Sequence, residues 1–260
     1  MKFLASVALL LALQLCAPVA RTTRDGARNR AADAGATIEK SADPLRPLVC
    51  IDPGHPSEVA SGMNIQNGTN ETHIAWAVAG RLKPLLEGMG YDVVLTKSSE
   101  DELVRNRDRA VIANRARAAL MVRLHCDASV ERGYAVYYPD RQGRTKDGTV
   151  GPSRAVVEAS RRAAGAIHAG MSEALRGVLD DNGLRTDYQT KIGKEQGGAL
   201  TGSIFSEVPV VTIEMVVLSN ESDAGFIKTE EGQQKMAAAI AGGISRFFNS
   251  ERSPSTRRKE

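Results

Sequence analysis

The stretch VPVVTIEMVVL, residues 208–218, is a strongly apolar run that carries a single charge, Glu214. A short apolar run of this kind predicts a strand buried inside a sheet. A second such run, LVCI at residues 48–51, ends at the turn sequence Asp52-Pro53-Gly54. Three more strands are predicted between these two, at residues 91–96, 119–125 and 134–138.

Helical spacing of apolar residues alternates with these strands. It predicts four helices, over residues 71–88, 102–118, 153–179 and 229–248. Asn70 is a suitable N-cap for the first, and Leu103, Ala110, Ile112 and Ala113 are core candidates in the second. Residues 182–202 are polar and rich in glycine, which predicts a long loop or a mobile flap. The alternation predicts one α/β domain over residues 47–250, in three layers, with helices flanking a mostly parallel or mixed sheet.

The first twenty residues have the pattern of a secretory signal peptide. Lys2 precedes an apolar run over residues 3–15, and the small residues Ala17 and Ala20 follow. This run is shorter than the roughly 20 residues that a membrane-spanning helix needs. We therefore expect an exported protein, periplasmic or secreted, with no stable membrane span after cleavage. An uncleaved anchor and a buried helix are the alternatives, and Cys16 would allow a lipoprotein signal although Leu15 disfavours it.

Charge is concentrated near the two ends of the chain. The formal net charge is +3 over 260 residues, but residues 21–46 hold six basic and four acidic side chains. These residues show no apolar periodicity and predict a flexible linker. Residues 251–260 form a charged tail, and the part between is slightly acidic. With aromatic residues at only 4%, a nucleic-acid-binding protein is disfavoured.

Two cysteines remain after the predicted signal peptide, Cys50 and Cys126. In an oxidising compartment such a pair could form a disulfide. Each lies in an apolar strand pattern, however, where cysteine behaves as a small hydrophobic residue. Two buried thiols are therefore the favoured interpretation.

Polar residues interrupt the apolar strands at positions that can meet. His55 follows the first strand, His125 ends the third, and Glu214 lies within the last. Ligands bind at the carboxyl ends of strands in open α/β sheets, so these side chains are expected at one edge. Glu71, at the start of the first helix, can be folded back towards them, where the helix dipole favours a carboxylate.

Two histidines and a carboxylate are the protein ligands of many catalytic zinc sites. Zinc lowers the pKa of a bound water and polarises a carbonyl, and a further carboxylate can accept the proton. Each residue alone also has an ordinary structural interpretation: a satisfied histidine at a strand end, or a first-turn helix charge at Glu71. Glu214 is the exception, because a carboxylate inside an apolar strand needs a partner or a function.

With these residues in place, the sequence resembles a known family, the zinc-dependent N-acetylmuramoyl-L-alanine amidases of the third amidase family. The similarity covers essentially all of residues 47–250, with the motifs in the family's order. They are Ile51-Asp52-Pro53-Gly54-His55 followed by Glu71, Arg109 with Ala113-Asn114, Leu124-His125-Cys126-Asp127-Ala128, Gly133 to Tyr138, and Val210 to Asn220.

The resemblance implies His55, Glu71 and His125 as ligands of one Zn²⁺ per chain and Glu214 as the catalytic acid–base. It also implies peptidoglycan as the partner and cleavage of the amide between N-acetylmuramic acid and L-alanine. The chain departs from the family pattern at Arg123, at Val216-Val217 and over residues 182–204. Substrate-binding residues and regulatory partners are not identified by the sequence.

Several other polar residues have simpler explanations. His73 is expected to face solvent and His168 to be a surface or core residue. Ser203 and Ser206 lack the histidine and aspartate partners of a nucleophile and are expected to be loop residues. Lys191 and Lys194 could meet stem-peptide carboxylates, with a flexible loop as the alternative.

Arg109 stands apart from the solvated arginines of the second helix, since it could orient the site glutamate or the sheet. Two other functions stay open at this stage. One is a non-catalytic peptidoglycan-binding module on the same fold, and the other is a zinc carboxypeptidase that acts on stem peptides.

Overall fold

The structure is a computed structural model that describes residues 46–252. The predicted signal peptide at 1–20, nearly all of the linker at 21–46 and most of the tail at 251–260 lie outside these residues. Within them, no helix combines the length and apolar character that a membrane crossing requires.

A six-stranded mixed sheet forms the centre of the fold, with the strand order β2-β1-β3-β8-β4-β7. Strands β1, β2, β3 and β8 are mutually parallel, whereas β4 runs antiparallel to β8 and parallel to β7. A separate small hairpin pairs β5 with β6. The strands are β1 Leu48–Pro53, β2 Asp92–Leu95, β3 Leu120–Asp127, β4 Tyr134–Tyr138, β5 Gly143–Arg144, β6 Val150–Gly151, β7 Asp181–Thr186 and β8 Val210–Val217.

Seven α-helices accompany the strands in the described part of the chain, together with two short 3-10 helices at Ala60–Met63 and Asp187–Gln189. The predicted α/β architecture is confirmed. The helices are α1 Glu71–Gly88, α2 Asn106–Arg115, α3 Arg154–Ala174, α4 Lys191–Glu195, α5 Thr201–Ile204, α6 Glu221–Ile227 and α7 Glu230–Arg252.

Side-chain alternation along the strands divides the sheet into two different faces. In β3, Leu120, Val122 and Leu124 belong to the large apolar core that α1, α3 and α7 cover. Met121 points to the other face, where it packs with residues of β1, α2 and β8 in a smaller apolar cluster. Because successive strand residues alternate between faces, Arg123 and His125 follow Met121 on this second face.

The two remaining cysteines illustrate the same division. Cys126 is buried in the large core and Cys50 in the smaller cluster on the other face. Both thiols are free, which confirms the prediction of two buried thiols.

The second helix is shorter than its sequence pattern predicts, and Leu103 was wrongly placed in the core. Leu103 is 61% exposed and precedes α2. The backbone here pairs with the loop after β1, since Val104 N–H donates to the Pro56 carbonyl at 3.2 Å. That bond draws residues before Asn106 out of the helix. The third helix likewise ends early, at Ala174, and α6, capped by the Asn220 side chain, was not predicted.

The composition of residues 182–202 predicts a long loop or a mobile flap, and this prediction is wrong. Residues Asp181–Thr186 form the edge strand β7, in register with β4, and the short helices α4 and α5 follow. An edge strand with little apolar burial lacks the hydrophobic pattern by which strands are found. Gly183, with φ +82°, interrupts the strand, and the register with β4 shifts near it.

Candidate functional site

Two rows of polar side chains cross the second face of the sheet near the carboxyl ends of the parallel strands. In the inner row Asp52 lies beside Arg123, which in turn lies beside Thr212. One step further out, His125 on β3 is in register with Glu214 on β8. The alternation that buries the apolar residues therefore brings both rows to the same face.

His55 is presented by the loop that follows β1. Its backbone has φ +50°, a left-handed conformation that few residues other than glycine adopt. The Lys97 ammonium group donates a hydrogen bond to the His55 carbonyl oxygen. Burial lowers the pKa of the His55 ring, which favours the neutral form that can bind a metal.

Glu71 is the first residue of α1, and the Asn70 side chain caps this helix by accepting a hydrogen bond from His73 N–H at 2.8 Å. One Glu71 carboxylate oxygen accepts from His125 Nδ1 at 2.8 Å and from Cys126 N–H at 3.2 Å. Burial opposes the charge of this carboxylate, but the hydrogen bond and charge of His125 outweigh it and lower the pKa of Glu71.

The structure brings His55, Glu71 and His125 together. One possible ligand atom from each lies within 4.8 Å of the others, and His55 Nε2 is 3.3 Å from a Glu71 oxygen. All three side chains are at least partly buried. Two imidazoles and a carboxylate are the donor set of a catalytic zinc site, so these residues fit that ion.

Two glycines make room for the imidazole rings. A Cβ atom at Gly54 would lie 2.6 Å from His125 Cε1, and one at Gly62 would lie 2.1 Å from His55 Cγ. Both distances are far below van der Waals contact. The positions of the rings therefore depend on the absence of a side chain at residues 54 and 62.

Glu214 lies in the same pocket as the three possible ligands. Its Oε2 atom is buried and has no hydrogen-bond partner among the residues described. Burial raises the pKa of Glu214 well above its ordinary value, and repulsion from Glu71 and Asp127 raises it further.

A buried ion-pair network that was not predicted from the sequence lies under the site. Both Arg109 and Asp52 are fully buried, and Arg109 Nη1 donates to Asp52 at 2.6 Å. Arg123 Nε donates to the second Asp52 oxygen at 2.9 Å. The signal available in the sequence was a pair of charged residues, Asp52 and Arg123, in strands that are otherwise apolar.

Of the two roles expected for Arg109, the structure shows the contact with the sheet, through Asp52 and Pro53 of β1, and not a contact with the site glutamate. Arg109 donates hydrogen bonds to the carbonyl oxygens of Pro53 at 2.6 Å and Pro56 at 2.9 Å. Arg109 therefore holds the loop that presents His55, and within the described structure it does not bond to Glu71 or Glu214.

The pocket has a volume of about 790 Å³. Part of its lining comes from residues 189–202, which belong to the segment predicted as a loop. We call these residues the 189–202 wall. The pocket residues of this wall are Gln189, Thr190, Lys191, Ile192, Gln196, Leu200, Thr201 and Gly202. Lys191 therefore lines the pocket, whereas Lys194 is not among the lining residues.

The remaining polar candidates lie away from this chemistry. His73 is exposed, as predicted, and lies 3.1 Å from Glu100, while His168 on α3 pairs with Asp181 at 2.8 Å. Ser203 and Ser206 are both buried. Ser206 lies in the loop before β8, as predicted, whereas Ser203 lies in the short helix α5 and not in a loop. The Ser206 hydroxyl donates to the Val208 carbonyl at 2.7 Å, which fixes the entry into β8.

Comparison with known proteins gives a consistent result at the level of family. The sequence model of a family described as N-acetylmuramoyl-L-alanine amidase (Amidase_3) matches residues 49–246. The chain is 26% identical over 230 residues to N-acetylmuramoyl-L-alanine amidase AmiC of Neisseria meningitidis, which covers 78% of this chain and 53% of that protein. It is also 26% identical over 197 residues to N-acetylmuramoyl-L-alanine amidase Rv3717 of Mycobacterium tuberculosis, covering 73% of each. The chain thus spans about half the length of the first relative.

Solved structures share the fold. The AmiC2 amidase of Nostoc punctiforme superposes with a TM-score of 0.62 at 23% identity, covering 78% of this chain and 97% of that structure. The Ami1 amidase of Mycobacterium smegmatis gives a TM-score of 0.62 at 22% identity, with the same coverage. At these identities the similarity establishes a common architecture.

Proposed function

Because the chain belongs to the N-acetylmuramoyl-L-alanine amidase family, we propose that it is a zinc-dependent hydrolase of peptidoglycan. The bond cleaved is the amide between the lactyl group of N-acetylmuramic acid and L-alanine of the stem peptide. One observation carries the proposal: His55, Glu71 and His125 converge in a pocket that Glu214 also lines.

His55, Glu71 and His125 are the proposed ligands, for one Zn²⁺ per chain. The donor set supports zinc, because two imidazoles and a carboxylate are the protein ligands of many catalytic zinc sites. When bound, zinc lowers the pKa of water and polarises the substrate carbonyl. Gly54 and Gly62 keep the two imidazoles in place, and Arg109 anchors the loop of His55.

Glu214 is the proposed acid–base. It accepts a proton from the water that attacks the amide carbonyl, and it returns this proton to the departing alanine nitrogen. Protonation is required because an amide nitrogen leaves poorly as an anion. No covalent intermediate with the protein is needed.

We propose that the protein acts outside the cytoplasm, either in the periplasm or as a secreted protein. The support is the signal-peptide pattern of residues 1–20 together with a cell-wall substrate. Mass spectrometry of the mature chain from its host would test this by locating its N-terminus. A mature chain that still begins at residue 1 and stays in the cytoplasm would contradict it.

A digest of purified peptidoglycan by the zinc-loaded protein tests the reaction. An amidase releases free stem peptides that begin with L-alanine. A carboxypeptidase would release single D-amino acids, and a non-catalytic binding module would release nothing. Release of single D-amino acids only, or of nothing, would contradict the amidase proposal.

Metal dependence has its own test. A chelator should abolish the release of stem peptides, and added Zn²⁺ should restore it. The His125→Ala variant should contain well below one equivalent of zinc by elemental analysis, while His73→Ala, at an exposed histidine outside the site, should bind zinc as the parent does. A fully metallated His125→Ala protein would remove this residue from the ligand set.

A further inference from the structure

The 189–202 wall is a built part of the pocket and not a freely moving loop. The Thr190 hydroxyl donates to the Asp187 carbonyl at 2.7 Å and accepts from Gly193 N–H at 2.9 Å. Asp187, which is fully buried, accepts from Leu200 N–H at 3.0 Å. These bonds join the two ends of the wall, so the backbone position of the residue after Thr190 is fixed.

That residue is Lys191, an exposed side chain that lines the pocket. Within residues 46–252 it makes no ion pair and no hydrogen bond. Arg123 is the other basic side chain of the lining, and it already pairs with Asp52. Lys191 is thus the one cation on the described pocket lining that has no carboxylate partner.

Among the described residues, none of the four acidic side chains of the lining, Glu58, Glu71, Asp127 and Glu214, pairs with Lys191. Glu71 is held by the two imidazoles and by Cys126 N–H. Glu58 accepts from Asn106 N–H at 2.9 Å, and Asp127 accepts from Ala128 N–H at 2.7 Å.

Further positive charge lies beneath the wall. Two buried arginines, Arg109 and Arg123, share the single carboxylate of Asp52. A Cβ atom at Gly202 would lie 2.9 Å from Arg123 Nη1, so the wall lies directly on this guanidinium group. Within the part of the chain described, Nη1 makes no hydrogen bond. On this side of the pocket Lys191 is therefore the exposed cation that can meet an anionic group of the substrate.

We propose that Lys191 is a specificity-determining residue and that it binds a free carboxylate on the peptide part of the substrate. The inference rests on the proposed amidase function and adds the chemical group that the pocket selects. Lysine presents a compact positive charge with three hydrogen-bond donors, which suits a carboxylate held at the rim. The second residue of a peptidoglycan stem is D-glutamate joined through its γ-carboxyl group, so its α-carboxyl group is either free or amidated.

Two synthetic substrates isolate this group. Both are N-acetylmuramoyl tripeptides of L-alanine, D-isoglutamate or D-isoglutamine, and L-lysine amide, so they differ only in the α-carboxyl group of the second residue. We expect the zinc-loaded full chain to cleave the free acid with a kcat/KM about tenfold higher than that for the amide, because a charge-assisted hydrogen bond typically contributes an effect of this size. In Lys191→Met the ratio should fall to about one, mainly through slower cleavage of the acid, and Lys191→Arg should restore part of it.

Lys194→Met is the matched control. Lys194 is also exposed and lies on the same short helix, but it is not on the pocket lining, so this variant should keep the parent's preference. Equal cleavage of both substrates by the parent, an unchanged ratio in Lys191→Met, or an equal loss on both substrates would each overturn the role of Lys191 and leave the amidase function standing. Cleavage of neither substrate by the zinc-loaded parent would overturn both proposals.

Discussion

Glu214 is an acidic residue in the middle of a strand whose other side chains are almost all buried and apolar. In Glu214→Gln the size and polarity of the side chain are kept and the base is lost. We expect turnover of peptidoglycan to fall by about 10²–10⁴-fold, as is typical for a positioned acid–base group. Zinc content and folding should stay near those of the parent, because the proposed ligands are other residues.

Glu207→Gln is a suitable control, because this exposed glutamate precedes the same strand outside the pocket. Stem-peptide release and bound zinc are measured on the same preparations. Near-normal turnover in Glu214→Gln would refute its role in proton transfer. Inactivity accompanied by loss of zinc would make Glu214 a ligand instead.

Asp52 is the single carboxylate that two buried guanidinium groups share. The Asp52→Asn variant removes its charge and leaves Arg109 and Arg123 buried without an anionic partner. Loss of one member of a buried ion pair costs about 3–5 kcal/mol in the free energy of unfolding. Urea denaturation of the two proteins at pH 7 measures this difference. In contrast, Asp180→Asn, which breaks the exposed pair with Arg132, should cost at most about 1 kcal/mol.

The same carboxylate gives stability a definite dependence on pH. Burial alone would raise the pKa of Asp52, but the adjacent Arg109 and Arg123 hold it well below its usual range. A carboxylate with a lowered pKa in the folded state stabilises the fold above its unfolded-state pKa of about 4, and this contribution is lost as the pH falls below that value. The stability difference between the parent and Asp52→Asn should therefore be full at pH 7 and shrink below about pH 4. A difference that stays constant down to pH 3 would contradict this account.

The contact between α3 and α7 depends on glycine at one point. A Cβ atom at Gly170 of α3 would lie 2.6 Å from the Gly243 Cα atom of α7, whereas a Cβ atom at Gly165 of α3 would meet nothing within 4 Å. Gly170→Ala should therefore lower the free energy of unfolding by about 1–3 kcal/mol through overpacking. Gly165→Ala should raise it by about 0.5–1 kcal/mol, since alanine favours the helix. Chemical denaturation of both variants provides the check, and equal effects would contradict the close approach.

The elements that the sequence predicts well are those whose buried residues follow a regular apolar pattern. The bounds of α1 match the prediction, and so do those of β4. Strand β7 was not predicted because an edge strand buries few apolar side chains. Helix α2 was predicted too long because the backbone N–H of Val104 bonds to the distant loop after β1. For the site, polar residues at strand ends indicated His55, His125 and Glu214. The arginines that share Asp52 depend on register between strands, which a single sequence does not reveal.

At the scale of the whole molecule, the proposed zinc ligands come from three separate places in the chain. They lie in the loop after β1, at the start of α1 and on β3. An ion held by all three favours the folded state over the unfolded state by mass action. At free zinc about a thousandfold above the dissociation constant, the gain is about 4 kcal/mol.

Thermal unfolding with and without a chelator measures this effect. The parent should unfold at a clearly lower temperature when zinc is removed. The His125→Ala protein should unfold at the same temperature in both conditions. A parent whose unfolding temperature does not respond to the chelator would argue against metal binding by the folded chain.

The edge strand β7 also bears on how the molecule behaves among its own copies. An open sheet edge exposes backbone groups on which a strand from another chain can add. Here that edge carries the charged residues Asp181 and Arg185, and Gly183 breaks its regular course. Charges and irregularities of this kind discourage intermolecular strand addition. We therefore expect concentrated solutions of the protein to resist fibril growth through this edge, and replacing Asp181 and Arg185 by threonine to weaken that resistance.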